Sequence, residues 1–259
     1  MRILSAGYLA ALLALTGPAA AHTGYLLPNL FNTPQRDHVT VEASFTEEMF
    51  TPDIVMKADE YHVVTPAGAK VKPTVTYLRD LAVFEVELPE AGTYRISTGL
   101  RAGATRKMAL VAGKWEPVRE KEGVPAGVRV AEAQSITRSD VYVSKGPASE
   151  KALVPAGVGL EIVPMAHPNR LDAGGALPVR LLLDGKPVAG VTISLQGPKL
   201  PDEEDAKAVT VTTDKDGKAS IALPHDGTFL LLARHRVEAA DGPVAVKSHS
   251  ATLTFAVGS

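Results

Sequence analysis

Cysteine is absent from the 259 residues. That excludes disulfide staples and every thiolate metal site, so any metal must be held by imidazole, carboxylate or amine groups. Aromatic residues make up only 5%, and Trp115 is the sole tryptophan. Such a chain is thinly equipped to stack sugar rings or nucleobases. An excess of one charge is missing too: 27 basic and 29 acidic residues leave a formal net charge of −2. No basic stripe offers itself to a nucleic acid. The largely apolar run from Ile3 to Leu15 falls short of the roughly 20 residues a spanning helix needs, so no transmembrane segment is expected in the mature chain. Hydrolase signatures are also lacking, with no G-x-S-x-G, no H-E-x-x-H and no phosphate loop. The chain reads as a non-enzyme, and no catalytic residue is assigned.

What is present begins with a leader. Residues 1–21 carry a basic start at Arg2, an apolar stretch, a helix-breaking Pro18, and small residues at Ala19 and Ala21. These are the three parts of a secretory signal, with the cut expected after Ala21 and the periplasm as destination. His22 then becomes the first residue. Its α-amine and imidazole could close a chelate ring on one metal ion.

The rest has the rhythm of an all-β protein. Gly24 to Arg36 reads as an extended arm, and strict alternation starts at His38-Val39-Thr40-Val41. Residues 45–59 read as an acidic loop or a short helix. Short strands are expected at 61–65, 74–78, 82–88, 93–98 and 106–111, separated by Gly and Pro corners. Residues 128–145 return as one or two strands bridging the halves. Further strands are expected at 160–163, 177–183, 191–196, 208–213, 219–223, 229–235 and 245–255. Seven strands in about 100 residues match one immunoglobulin-like sandwich. Asp184-Gly185 and Asp214-Lys215-Asp216-Gly217 supply its turn chemistry. The acidic patch Pro201-Asp202-Glu203-Glu204-Asp205 lacks the ordered spacing of an EF-hand and reads as a solvated loop. The expected organisation is a signal peptide (1–21), an amino-terminal β-sandwich with its arm (22–118), a bridging segment (119–159) and a carboxy-terminal immunoglobulin-like sandwich (160–259).

A family resemblance rests on particular stretches: a mature start on His22, PEAGTYRIS at 89–97, GLEIVP at 159–164, LPVRLLLDGKPVAGVTISL, TTDKDGKASIALPHDGTFLLLARH and SHSATLTF. Together these resemble a domain-of-unknown-function family of periplasmic proteins labelled nickel- or cobalt-uptake-associated components. The resemblance implies a β-sandwich that handles a divalent metal beside a membrane metal transporter. The family's usual start is His-Asp, an apolar residue and Trp, whereas here Thr23, Gly24 and Tyr25 follow His22.

Seven histidines are available: His22, His38, His62, His167, His225, His235 and His249. His235 and His249 lie equally far from Gly242, so a hairpin folded there sets them face to face across the ladder. Directly opposed side chains have Cβ atoms about 5 Å apart, close enough for both imidazoles to grip one ion. Their parity puts them at the end of inward-facing rows, one with Phe229, Leu231 and Ala233, the other with Ala251, Leu253 and Phe255. A one-residue slip would instead separate them onto opposite faces. If the arm folds back, His22 joins them, and the expected metal ligands are His22, His235 and His249, suited to Ni²⁺, Co²⁺ or Cu²⁺. Glu47, Glu48 and Asp53 offer carboxylates near the arm but read first as a solvated acidic loop. His167 and His225 read as turn residues, and His38 and His62 as rim or core.

Three functions compete. A periplasmic divalent-metal accessory captures the ion and loses affinity below about pH 6, because a protonated imidazole cannot ligate. A tandem immunoglobulin-like module serves structure or adhesion with no ligand. A copper oxidase would use His22 as a histidine brace.

Overall fold

The computed structural model describes residues 22–118, 123–124, 127–198, 209–238 and 244–258. The expected leader at 1–21, the acidic patch at 201–205 and the turn at 240–243 lie outside the described residues. Among those described there is no α-helix, only a single 3-10 turn at Lys151–Leu153. No helix is long and apolar enough to cross a membrane. Alternation does what the sequence pattern predicts: Ala82–Glu87 buries every second residue, and His38–Thr46 does so over its first half.

The strands form three sheets. In the first, Thr23–Pro28, His38–Thr46, Ala82–Glu87 and Val75–Tyr77 lie in that order, with Ile54–Val55 paired onto His38–Thr46. The third carries Leu160–Pro164 on one edge of Ala176–Leu183, with Lys186–Pro187 and Lys218–Ala222 on the other. Between them runs one long sheet. Its order is Thr210–Thr212, Thr192–Gln196, Gly227–Glu238, Val246–Val257, Val130–Lys145, Gly92–Ser97, His62–Val64 and Lys70–Val71. Arg106–Val111 adds to the near end of Val130–Lys145. The two immunoglobulin-like sandwiches therefore do not hang on a linker; they share this sheet.

Two elements differ from the sequence reading. The extended arm is a true strand, Thr23–Pro28, because its partner His38–Thr46 lies just beyond a Pro-containing connection and pairs with it antiparallel. The segment after it forms no helix: His38–Thr46 runs on into it and Ile54–Val55 turns back.

The shared sheet feeds a core on each face. Val141, Val143 and Ala256 join Leu26, Val39, Val41 and Phe84 in the first core. Tyr142, Leu231, Leu253 and Phe255, one residue out of phase, join Leu177, Ile193 and Ile221 in the second. Alternation thus divides single strands between two hydrophobic interiors.

Where the sandwiches meet, the sheet carries buried charge. Arg138, 2% exposed, donates from Nε to Asp140 Oδ2 at 2.6 Å and from Nη2 to Oδ1 at 3.4 Å. Its Nη1 lies 3.7 Å from Glu161, whose carboxylate accepts the N–H groups of Ala156 and Gly157. Arg95 donates to the carbonyl of Val154 at 2.8 Å. These charges rivet residues 154–161 to the sheet. Burial pushes the Asp140 carboxyl up, but Arg138 and Arg95 outweigh it and hold the group below the usual carboxylate range. A second rivet is neutral: the Asn169 side-chain amide donates to the carbonyls of Phe31 and Tyr142. His167 Nδ1 accepts the N–H of Asn169, which makes its Nε2 the donor to Thr93 Oγ1 at 2.9 Å.

Removing one member of a buried ion pair strands the other charge. Asp140→Ala should therefore lower unfolding stability by about 3–5 kcal/mol, measured by urea denaturation. Because the folded carboxyl titrates below its unfolded value, the contribution is complete above about pH 4 and is lost only in stronger acid. A cost below about 1 kcal/mol at pH 7 would remove the rivet from the account.

Candidate metal centre

Three strand ends converge at one corner of the first sheet. Thr23 pairs with Thr46, which sets His22 beside Glu47. Phe45 pairs with Ile54, which brings Asp53 to the same end, and the Asp53 N–H donates to the Phe45 carbonyl at 3.1 Å. His22 Nε2 lies 2.7 Å from Asp53 Oδ2 and 3.5 Å from Glu47 Oε1. One ligand atom from each of the three residues falls within 4.8 Å of the others.

The corner is well founded. Thr252 Oγ1 donates to the carbonyl of Gly24 at 2.8 Å and accepts from the Ser139 hydroxyl at 2.8 Å. A Cβ at Gly24 would stand 2.5 Å from Met56 Cε and 3.2 Å from Ser139 Oγ, so glycine permits this close approach. Arg234 donates to Thr23 Oγ1. The 47–53 loop is pinned by Phe50, whose backbone takes a φ of 57° and whose ring meets Tyr25 edge-on at 5.3 Å. Tyr25 is fully buried and bonds Glu42. Thr46 Oγ1 donates to the carbonyl of Glu48, and the Thr51 N–H also donates there. A rigid floor thus carries an open mouth: the side chains of His22, Glu47 and Asp53 are 34%, 59% and 49% exposed.

His235 and His249 stand opposite each other in the ladder, the register that symmetry about Gly242 requires. Both share the face of Ala233 and Ala251, which belongs to the second core. His22 does not join them. The strand beside it is bonded by Arg234 and Thr252, whose side chains project from the opposite face of the same hairpin. Among the described residues, His22 forms a three-ligand group with Glu47 and Asp53 rather than with the two imidazoles. Sequence reasoning ranked those carboxylates second because their meeting depends on two strand registers.

The remaining histidines have other work. His38 bonds Asp37 at the surface, and that hydrogen bond raises its pKa. His225 sits against the Phe229 ring. His62 Nδ1 faces the Glu60 carbonyl at 2.8 Å, leaving Nε2 buried. His167 occupies its turn as expected, yet is buried in the rivet between the sandwiches.

A family model described as a domain of unknown function, DUF4198, matches residues 19–237. The chain belongs to that family. No curated protein matches it. Among solved structures, the D0-D1 domain of Intimin is similar at 12% identity over 90% of this chain and 97% of that one, with a TM-score of 0.23. A DUF4785 family protein from Legionella pneumophila gives 10% identity over 81% and 50%, with a TM-score of 0.25. The Yersinia pseudotuberculosis adhesin InvE gives 14% over 90% and 58%, with a TM-score of 0.21. At such scores the architecture of this DUF4198 member rests on its own sheets.

Burial lowers the pKa of both His62 and His167. A folded pKa below the unfolded value means the unfolded chain binds more protons between the two, so stability falls as pH drops through about 6.5. Exposed His38 acts in the opposite sense but is solvated. Urea midpoints should decline from about pH 7.5 to 5.5, and His167→Gln should flatten that decline. A flat wild-type profile would contradict it.

Proposed function

We propose that this DUF4198 member is a periplasmic accessory that binds a divalent metal of the nickel or cobalt type and works in its uptake. The observation that carries the reading is the gathering of His22, Glu47 and Asp53. Metal–nitrogen and metal–oxygen bonds of about 2.0–2.2 Å require neighbouring donor atoms roughly 3 Å apart, and the spacings of 2.7 and 3.5 Å bracket that value. One imidazole with two carboxylates suits borderline ions such as Ni²⁺, Co²⁺ and Zn²⁺ better than Ca²⁺ or Mg²⁺, which take oxygen alone. The exposed mouth supports a cargo that is released to a membrane transporter rather than a resident cofactor.

Processing after Ala21 adds an α-amine to the same residue. The amine chelates with Nδ1, while the carboxylates stand at Nε2, so the two ends of the ring define distinct modes. In the first, the metal sits at Nε2 among Glu47 and Asp53. In the second, a histidine brace at Nδ1, Asp53 only orients the ring. The three-atom gathering favours the first mode. The ligand-free reading, a structural or adhesive tandem module, draws support from the 2.7 Å contact, which is a complete ion pair when His22 is charged.

The measurement is calorimetric titration of the processed protein with Ni²⁺ and Co²⁺ at pH 7.5. The double variant Glu47→Gln/Asp53→Asn should weaken the tightest binding at least tenfold, since it removes two charged ligands at an exposed corner that the fold does not need. Affinity should also drop on acidification to pH 5.5, where imidazole competes for protons. Undiminished affinity in the double variant overturns the carboxylate mode in favour of the brace at Nδ1, and absence of binding in the unaltered protein leaves only the ligand-free module.

A further inference from the structure

On the far face of the hairpin from His22, one buried nitrogen is left over. His249 is 8% exposed, and its Nδ1 has no hydrogen-bond partner among the described residues. A buried ring nitrogen without a partner is uncommon, because it forfeits water and gains nothing. Its surroundings explain why no protein group serves it. The next pair on the same face is Ala233 opposite Ala251, and the lateral neighbour on the adjoining strand is Ile136. Directly across stands His235, half-buried at the rim, where solvent can enter.

We propose that His235 and His249 form a second metal site, a bis-imidazole clamp for a late first-row ion, with Cu²⁺ the tightest. Four features of the fold converge on it. Opposed residues in an antiparallel ladder hold their Cβ atoms about 5 Å apart, which lets two imidazoles share one ion at about 2 Å each. The next pair on that face is two alanines, so only methyl groups flank the imidazoles on the core side. The orphaned Nδ1 supplies a lone pair that is already desolvated. The half-exposed rim admits water to complete the coordination shell. Two neutral nitrogen ligands favour copper over cobalt by the usual order of affinities, whereas the carboxylate-rich corner at His22 is harder in character. Asp184, in the turn beside the site, adds negative charge in its vicinity: it is among the groups acting electrostatically on His249.

The two sites are separable because they lie on opposite faces and share no residue. The experiment uses the His22→Ala/Glu47→Gln/Asp53→Asn protein, in which both modes of the first centre are removed, titrated with Cu²⁺ and followed by electron paramagnetic resonance. The expected result is one tightly bound equivalent whose spectrum carries coupling to imidazole nitrogens. His235→Ala, at the half-exposed position, should weaken that equivalent at least tenfold while circular dichroism and the urea midpoint stay near those of the parent. His249→Gln tests the buried partner, and bound Cu²⁺ should protect His235 from diethyl pyrocarbonate. Unchanged binding and spectrum in a folded His235→Ala protein overturns the clamp without touching the His22 reading. Loss of tight binding in the unaltered-hairpin His22→Ala/Glu47→Gln/Asp53→Asn protein assigns all copper to the first corner and also overturns it.

Discussion

The parallel pairing of Val130–Lys145 with Val246–Val257 is the constraint on which the structure depends. It runs from Ala133 opposite Val246 to Val141 opposite Thr254, in the middle of the longest sheet. Each residue step along either strand changes which core a side chain enters. A slip by one would send Tyr142 into the first interior and Val141 into the second, and would bring Arg138 and Asp140 out of their shared pocket of charge. Register is therefore over-determined: two hydrophobic cores and one buried ion network all enforce the same alignment.

The same alternation keeps the two histidine clusters apart. Even-numbered residues of the last hairpin, Arg234 and Thr252, reach toward the first sheet and hold the strand that begins beside His22. Odd-numbered His235 and His249 look the other way. What would be one three-histidine cluster in a flat drawing of the sequence becomes two groups of different composition on opposite faces of the hairpin.

Much of this was legible before any coordinates. Period-two alternation located most strands to within a residue or two, since a half-buried strand writes its orientation in its sequence. The 235–249 pairing was readable because a hairpin is local: once Gly242 is taken as its centre, partners follow by counting. Glu47 and Asp53 could be named but not placed beside His22, because their approach requires both the Thr23–Thr46 and the Phe45–Ile54 registers. The arm concealed a strand because two prolines and two asparagines interrupt it, while the pairing comes from its neighbour. His167 looked like an ordinary turn residue, and it is one. Its buried bonds to Thr93 and Asn169 arise from contact between sandwiches, which no local pattern records.

Exposure finally distinguishes the roles the two clusters can play. An ion held at the His22 corner stays in contact with water, because a rigid floor of Gly24, Tyr25 and Phe50 supports ligands that themselves project into solvent. Incoming ligands can displace water there one position at a time, which keeps exchange fast and suits transfer to another protein. An ion at the last hairpin would sit against opposed alanines with one imidazole almost wholly buried, and leaving would require that nitrogen to be stranded again. On the two proposals, the first site would exchange its ion readily and the second slowly. Under those proposals one ion would be passed onward while the other braces the hairpin whose Arg234 and Thr252 bond the first strand.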